Sequence, residues 1–240
     1  MSPELRKKIQ LVLIIAIAAS AVRAGYVLYE RHSQKAVEKA KTQAPPLKAD
    51  YYVSPKKLYP YDLKSARQLT QQPVWVKEGY RYTYYSYSSA THRLDIAHPG
   101  GLLLPIEKMQ FKDVALSPSP GSREQMVVAV FEKSSKTFGV QIGTLANGKY
   151  QIYSDELFFV QDPRELYKHW PADIWAAIEQ HQMKSGMNEM QADFAIGMGV
   201  PQPSSSPEVK TVTYPNGGTP LTVTYRDGLA AEIKPSPPSS

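Results

Sequence analysis

Residues 209–233 read "VKTVTYPNGGTPLTVTYRDGLAAEI", and the alternation inside this stretch decides how the C-terminal part of the chain folds. Three runs of period two are separated by Pro215-Asn216-Gly217-Gly218 and by Asp227-Gly228. Asn-Gly and Asp-Gly favour tight hairpin turns because both turn positions take positive φ. Val212 and Tyr214, then Leu221, Val223 and Tyr225, then Leu229, Ala231 and Ile233 would share one face of a three-stranded antiparallel meander. Such a sheet needs a cover for its apolar side.

The cover lies upstream. Residues 186–201 read "GMNEMQADFAIGMGVP". Asn188 is a good N-cap, and Gln191 three residues on can reach back to its backbone N–H, a capping box worth about 1 kcal/mol. Glu189 complements the helix dipole, Met190 and Phe194 form a core-facing stripe, and Gly197 suits a left-handed C-terminal position. Every conspicuous residue of the stretch thereby has a structural task, and none requires catalysis. A helix before it is predicted in "DPRELYKHWPADIWAAIEQHQ" (162–182), opened by Pro171, with Ile174, Trp175, Ile178 and His181 at helical spacing. The Pro and Ser-rich "PQPSSSPE" links the second helix to the sheet.

Helix, capped helix, Pro and three-stranded meander together resemble the small outer-membrane lipoprotein family of SmpA/OmlA (BamE) type. The residues that carry the resemblance are Gly186-Met187 before Asn188, Gly197 and Pro201 in the position of that family's "LG.P", Tyr214 before the first turn, and Asp227-Gly228 in the last hairpin. The resemblance covers about residues 168–234. It implies an ααβββ scaffold used for protein contacts in the bacterial envelope. Two features depart from the family: there is no lipid-bearing cysteine, and three residues separate Gly197 from Pro201 where one is usual.

Between residues 61 and 165 the sequence reads as a separate β-rich domain. "YDLKSARQL" is a short helix, and "PVWVKEGYRYTYYSY" (73–87) places Tyr80, Tyr82 and Tyr84 on one strand face and Arg81, Thr83 and Tyr85 on the other. Further apolar runs, "LLLPI", "FKDVAL", "MVVAVFE", "TFGVQIGTL" and "KYQIYS", are bounded by turn residues, with Asn147-Gly148 between the last two. Five or six short strands fit a small SH3-like barrel or roll. Its tyrosines suit either half-buried packing or a contact surface, and Trp75, Tyr80 and Tyr82 are the candidates for partner contact.

The net charge of +6 is confined to residues 1–49, where nine Lys or Arg oppose three acids; the remaining residues hold 19 of each sign. A folded surface with balanced charge is not the footprint of a nucleic-acid binder. The basic residues flank the apolar segment 9–29, which follows a basic N-terminus (1–8) and precedes a charged stalk and linker (30–60). Its length predicts a transmembrane signal-anchor, with Leu11, Ile14 and Ile15 in the bilayer, Arg23 snorkelling to the headgroups and Tyr26 in the interfacial belt. A cleaved export signal is the rival reading. Either places the C-terminal domains in the periplasm, and the tail 235–240 is read as disordered.

No chemical signature is strong. His92, Asp95 and His98 in "THRLDIAHPG" sit in a polar loop and do not share a strand face, so no metal site is predicted. His169 and His181 flank a helix whose packing accounts for them. Ser54 to Lys57 fits Ser-x-x-Lys without its companion motifs, and "GMG" alone supports no nucleotide. Absence of cysteine removes thiolate chemistry. The expected fold class is therefore α+β, and the expected function is a membrane-anchored envelope protein acting by protein contact, without cofactor or catalysis. Its partners would be the lipid bilayer and an envelope protein. The alternative is a periplasmic hydrolase or glycan-modifying enzyme with His169, Asp173 or His98 in a cleft between two domains.

Overall fold

The computed structural model describes residues 23–30, 53–203 and 209–236. Within the first 52 residues, which form a unit of their own, only the helical stretch 23–30 (α1) is described. Everything from Val53 onward belongs to a second compact unit.

That unit is mostly β. The largest sheet has the order β3-β2-β7-β6-β5, with β8 paired to β7. Its strands are β2 (Thr83–Ser88), β3 (Arg93–Leu102), β5 (Phe111–Pro118), β6 (Gln125–Lys133), β7 (Lys136–Ala146) and β8 (Lys149–Ile152). Asn147 and Gly148, at φ 51° and 74°, turn β7 into β8. Ser134 and Ser135, at φ 51° and 61°, make the equivalent turn between β6 and β7 without any Gly or Asn to signal it. Both faces of this sheet are buried. Val114, Val127, Ala129, Phe131, Val140 and Ile142 face one core, while Ala115, Met126, Val128 and Val130 face a smaller one covered by Tyr87, Leu94 and Ile96. Double burial explains why β6 reads as the unbroken apolar run "MVVAVF" rather than as an alternation.

A second sheet, β4-β1-β9, is built from β1 (Val74–Val76), β4 (Lys108–Met109) and β9 (Phe158–Phe159). Its alternation is the key to the architecture. Val74, Val76 and Phe158 point into the first core, and Trp75 and Phe159 point into the second, which holds the C-terminal helices. One small sheet is thus a wall common to both cores.

The third sheet has the order β10-β11-β12-β13: Val200–Pro201, Val209–Tyr214, Leu221–Arg226 and Leu229–Pro235. Helices α5 (Ala172–Glu179) and α6 (Glu189–Ile196) cover it through Ile174, Trp175, Ile178, Phe194 and Ile196 against Val212, Tyr214, Val223 and Tyr225. Asp227 and Gly228, at φ 52° and 77°, close the β12–β13 hairpin. A bulge at Thr224/Tyr225 shifts the register so that Tyr225 opposes Ala230 and Val223 opposes Ile233. Ala230 is therefore buried, and Leu229 is 49% exposed. A strict period of two cannot foresee that inserted residue, Ala231. On α6 the buried positions are Gln191, Ala192, Phe194, Ala195 and Ile196, while Met190 lies outside the core at 38% exposure.

Short helices complete the unit: α2 (Leu63–Ala66), α3 (Ser154–Leu157) and α4 (Pro163–Leu166). Residues 56–59 are held down, because the Asp155 carboxylate accepts the N–H groups of Leu58 and Tyr59, and Gln161 Oε1 accepts that of Lys56.

This architecture corrects the fold expected from sequence. Instead of an SH3-like domain and an independent ααβββ domain, the described residues from Val53 onward form three antiparallel sheets, with the middle one joining the two cores. The C-terminal sheet also has a fourth strand, β10. Among the described residues no helix is long and apolar enough to cross a membrane. Arg23 and Tyr26 lie in the described helical stretch α1. Leu11, Ile14 and Ile15 lie outside the described residues. The single-pass signal-anchor and the membrane localisation expected from the sequence are corrected on that finding. The segment "THRLDIAHPG" is likewise not a loop but most of the exposed edge strand β3.

Candidate functional site

The β1–β2 connection meets the C-terminal helices at Tyr80. This residue has φ 61°, so its side chain leaves the strand alternation and wedges sideways. Its ring lies against Gly197 and Gly217, where an added Cβ would come within 3.0 Å and 2.8 Å of it, and meets the His181 ring edge-on at 6.4 Å. Tyr82 instead packs on the first core with its hydroxyl on Glu78. Tyr84 is buried. Trp75 is half-buried in β1 with Lys108 over its ring at 5.4 Å. Of the three candidate contact residues, Tyr80 lines the cleft described next.

That cavity is an open cleft of about 250 Å³ lined by Gly79, Tyr80, Arg81, residues 196–200, Pro215 and Asn216. Its surface is mostly apolar, with Met198 and Val200 exposed at 43% and 63%. Arg81 is the one charged residue in the lining; its Nη1 donates to Glu78 Oε2 at 2.8 Å and lies 3.7 Å from Met198 Sδ.

The wall formed by residues 197–200 is shaped from α6. The helix begins with a complete capping box: Asn188 Oδ1 accepts from Gln191 N–H, and Gln191 Oε1 accepts from Asn188 N–H, both at 2.9 Å. Gly186 N–H and Met187 C=O bond to Ala230, which ties the start of α6 to β13. The helix ends at Gly197, whose φ of 81° and ψ of 170° fall in a region essentially open only to glycine, not in the left-handed helical cap. Two further residues then pass under Asp193. Gly197 N–H bonds to the Asp193 carbonyl, and the Gly199 N–H acts to lower the pKa of the Asp193 carboxyl. At Gly199 a Cβ would lie 2.3 Å from Val212 Cγ1 and 2.7 Å from Tyr214 Cε1. The additional residues before Pro201 thus bring the backbone flat onto β11.

Asp193 is the residue that sequence reasoning missed. Burial raises its carboxyl to about 7, Gly199 N–H and Lys210 oppose the rise, and Glu189 and Glu78 add to it. Behind it the Tyr214 and Tyr225 hydroxyls share a hydrogen bond of 2.6 Å, and burial pushes both phenols up. Lys210 pairs with Glu189. The Glu189/Asp193 spacing of one helical turn was the available signal. Asp193 does not line the cleft.

The residues expected to serve an enzyme lie in separate environments. His98 pairs with Asp95 at 3.0 Å on the exposed β3 edge, His169 packs beside Tyr167 and Trp170, and Asp173 pairs with Lys184. His92 meets the Tyr87 hydroxyl at 2.9 Å. Among the described residues no three His, Asp or Glu side chains converge as metal ligands. No protein-family model matches the chain, and neither does any curated protein or solved structure.

Proposed function

We propose that the protein is a non-catalytic protein-interaction module that docks a partner on the Tyr80 cleft. The observation that carries this reading is an apolar, open cleft whose walls are fixed while its rim exposes Met198 and Val200. Two features hold the walls: Tyr80 wedged against Gly197 and Gly217, and the 197–199 backbone tied by Gly197 N–H to the Asp193 carbonyl and laid at Gly199 against Val212 and Tyr214. A rigid apolar surface with a polar border is what a binding site needs, because ordering costs are met in folding rather than in association. At about 250 Å³ the cleft is smaller than the 300–1,000 Å³ typical of small-ligand pockets, which favours seating side chains of a protein.

The test is photo-crosslinking from position 200 in living cells. A defined protein adduct is expected from Val200, absent from a probe at exposed Lys149 and lost with Met198→Asp. No adduct, or one unchanged by Met198→Asp, would refute the proposal.

A further inference from the structure

The recognition mode can be taken further, on the reading that the cleft docks a protein. Main-chain pairing is one way to bind beside a sheet edge, and β10 is the edge next to the cleft. Its register places Val200 opposite Thr213 and Pro201 opposite Val212. Gln202 N–H bonds to Thr211 C=O, so by alternation the polar groups of Val200 and Gln202 point to β11 and those of residues 199, 201 and 203 point outward. Residues 201 and 203 are both proline and have no N–H. Gly199 N–H is then the one outward donor left on this short edge. The edge therefore offers at most one donor to an added strand.

What the cleft offers instead is side-chain surface: Tyr80, Ile196, Met198, Val200 and Pro215 around one cation. Arg81 is 58% exposed at its side chain and uses Nη1 on Glu78. Its Nε and Nη2 make no hydrogen bond or ion pair with the described residues, and a guanidinium with open donors suits a carboxylate. We infer that the cleft takes an amphipathic helix of a partner protein, with apolar side chains one turn apart seated between Tyr80 and Met198 and a carboxylate on the same helix face paired with Arg81. This is the helix-in-groove mode, in which side chains at i, i+3 and i+4 supply the anchors.

The test uses the purified full chain and two displayed peptide libraries, one on a helical scaffold and one on a hairpin strand scaffold. Binders are kept when Met198→Asp or Val200→Asp, each checked for an unchanged fold by circular dichroism, abolishes binding. These should come from the helical library and carry Leu, Phe or Met at i and i+3 or i+4 beside Asp or Glu. Arg81→Ala should weaken them about fivefold, as an exposed ion pair allows, and Arg81→Glu should be rescued by a Lys in place of the peptide acid. If the Met198-sensitive binders are strands, or helices indifferent to Arg81, the helix inference falls while docking at the cleft stands. If no binder in either library responds to Met198→Asp or Val200→Asp, both fall.

Discussion

Replacing Asp193 by Asn isolates the energetic effect of the half-buried carboxyl behind the cleft wall. Asn keeps an acceptor for Gly199 N–H but cannot ionise. In the folded protein the carboxyl is raised from 3.8 to about 7, so folding favours its neutral form. Its contribution to stability is complete below about pH 4 and is lost as pH rises through about 7. At 1.36 kcal/mol per pH unit the full displacement corresponds to roughly 4 kcal/mol. Partial access of water reduces this, and about 2 kcal/mol is the expected effect. Urea unfolding of both proteins from pH 4 to 8.5 reads it directly, because the difference between the two curves cancels the other titrating groups. Asp193→Asn should come nearest to wild type at pH 4, gain stability progressively, and level off above about pH 8. Parallel curves over the whole range, or a variant less stable at pH 8, would refute the account of Asp193 as a buried group strained by ionisation.

Further substitutions probe the same region. Gly199→Ala sets a Cβ against Val212 and Tyr214 and should cost about 1–3 kcal/mol in chemical denaturation; Gly186→Ala, at φ 84° with open space around it, should cost only its backbone strain of about 1 kcal/mol. Tyr214→Phe leaves the Tyr225 hydroxyl buried without its partner and should cost about 1–3 kcal/mol, whereas Tyr214→Phe with Tyr225→Phe should cost less than the two single changes summed. Asn188→Ala should destabilise α6 by about 1 kcal/mol, measured as faster amide exchange at residues 190–192, and Gln191→Ala added to it should cost little more.

What the sequence made readable was local. The Asp227-Gly228 turn, the Asn188–Gln191 cap and the alternation of Val212, Tyr214, Val223 and Tyr225 depend on neighbours within a few residues, and each is present in the structure. The long-range features were not readable. Nothing in "VWV" announces that Trp75 and its two flanking valines serve different cores, since that follows from pairing with Met109 and Phe159 far along the chain. The Ser134-Ser135 turn carries no glycine, and the bulge at Thr224/Tyr225 adds Ala231 without a marker. Of the candidate site, Tyr80 was singled out as one of an alternating strand face, but its positive φ takes it out of the strand and into the cleft. Asp193 was visible only as half of an acidic pair. Its role depends on Gly199 beyond the end of α6 and on Lys210 and Tyr214 of β11.

The most direct test of the docking account is hydrogen exchange of the full chain, alone and with the partner recovered by crosslinking from position 200. Protection on binding should concentrate at residues 79–81, 196–200 and 215–216 and disappear with Met198→Asp. Protection centred on the β3 edge at residues 93–102, or spread without preference for the cleft, would contradict it.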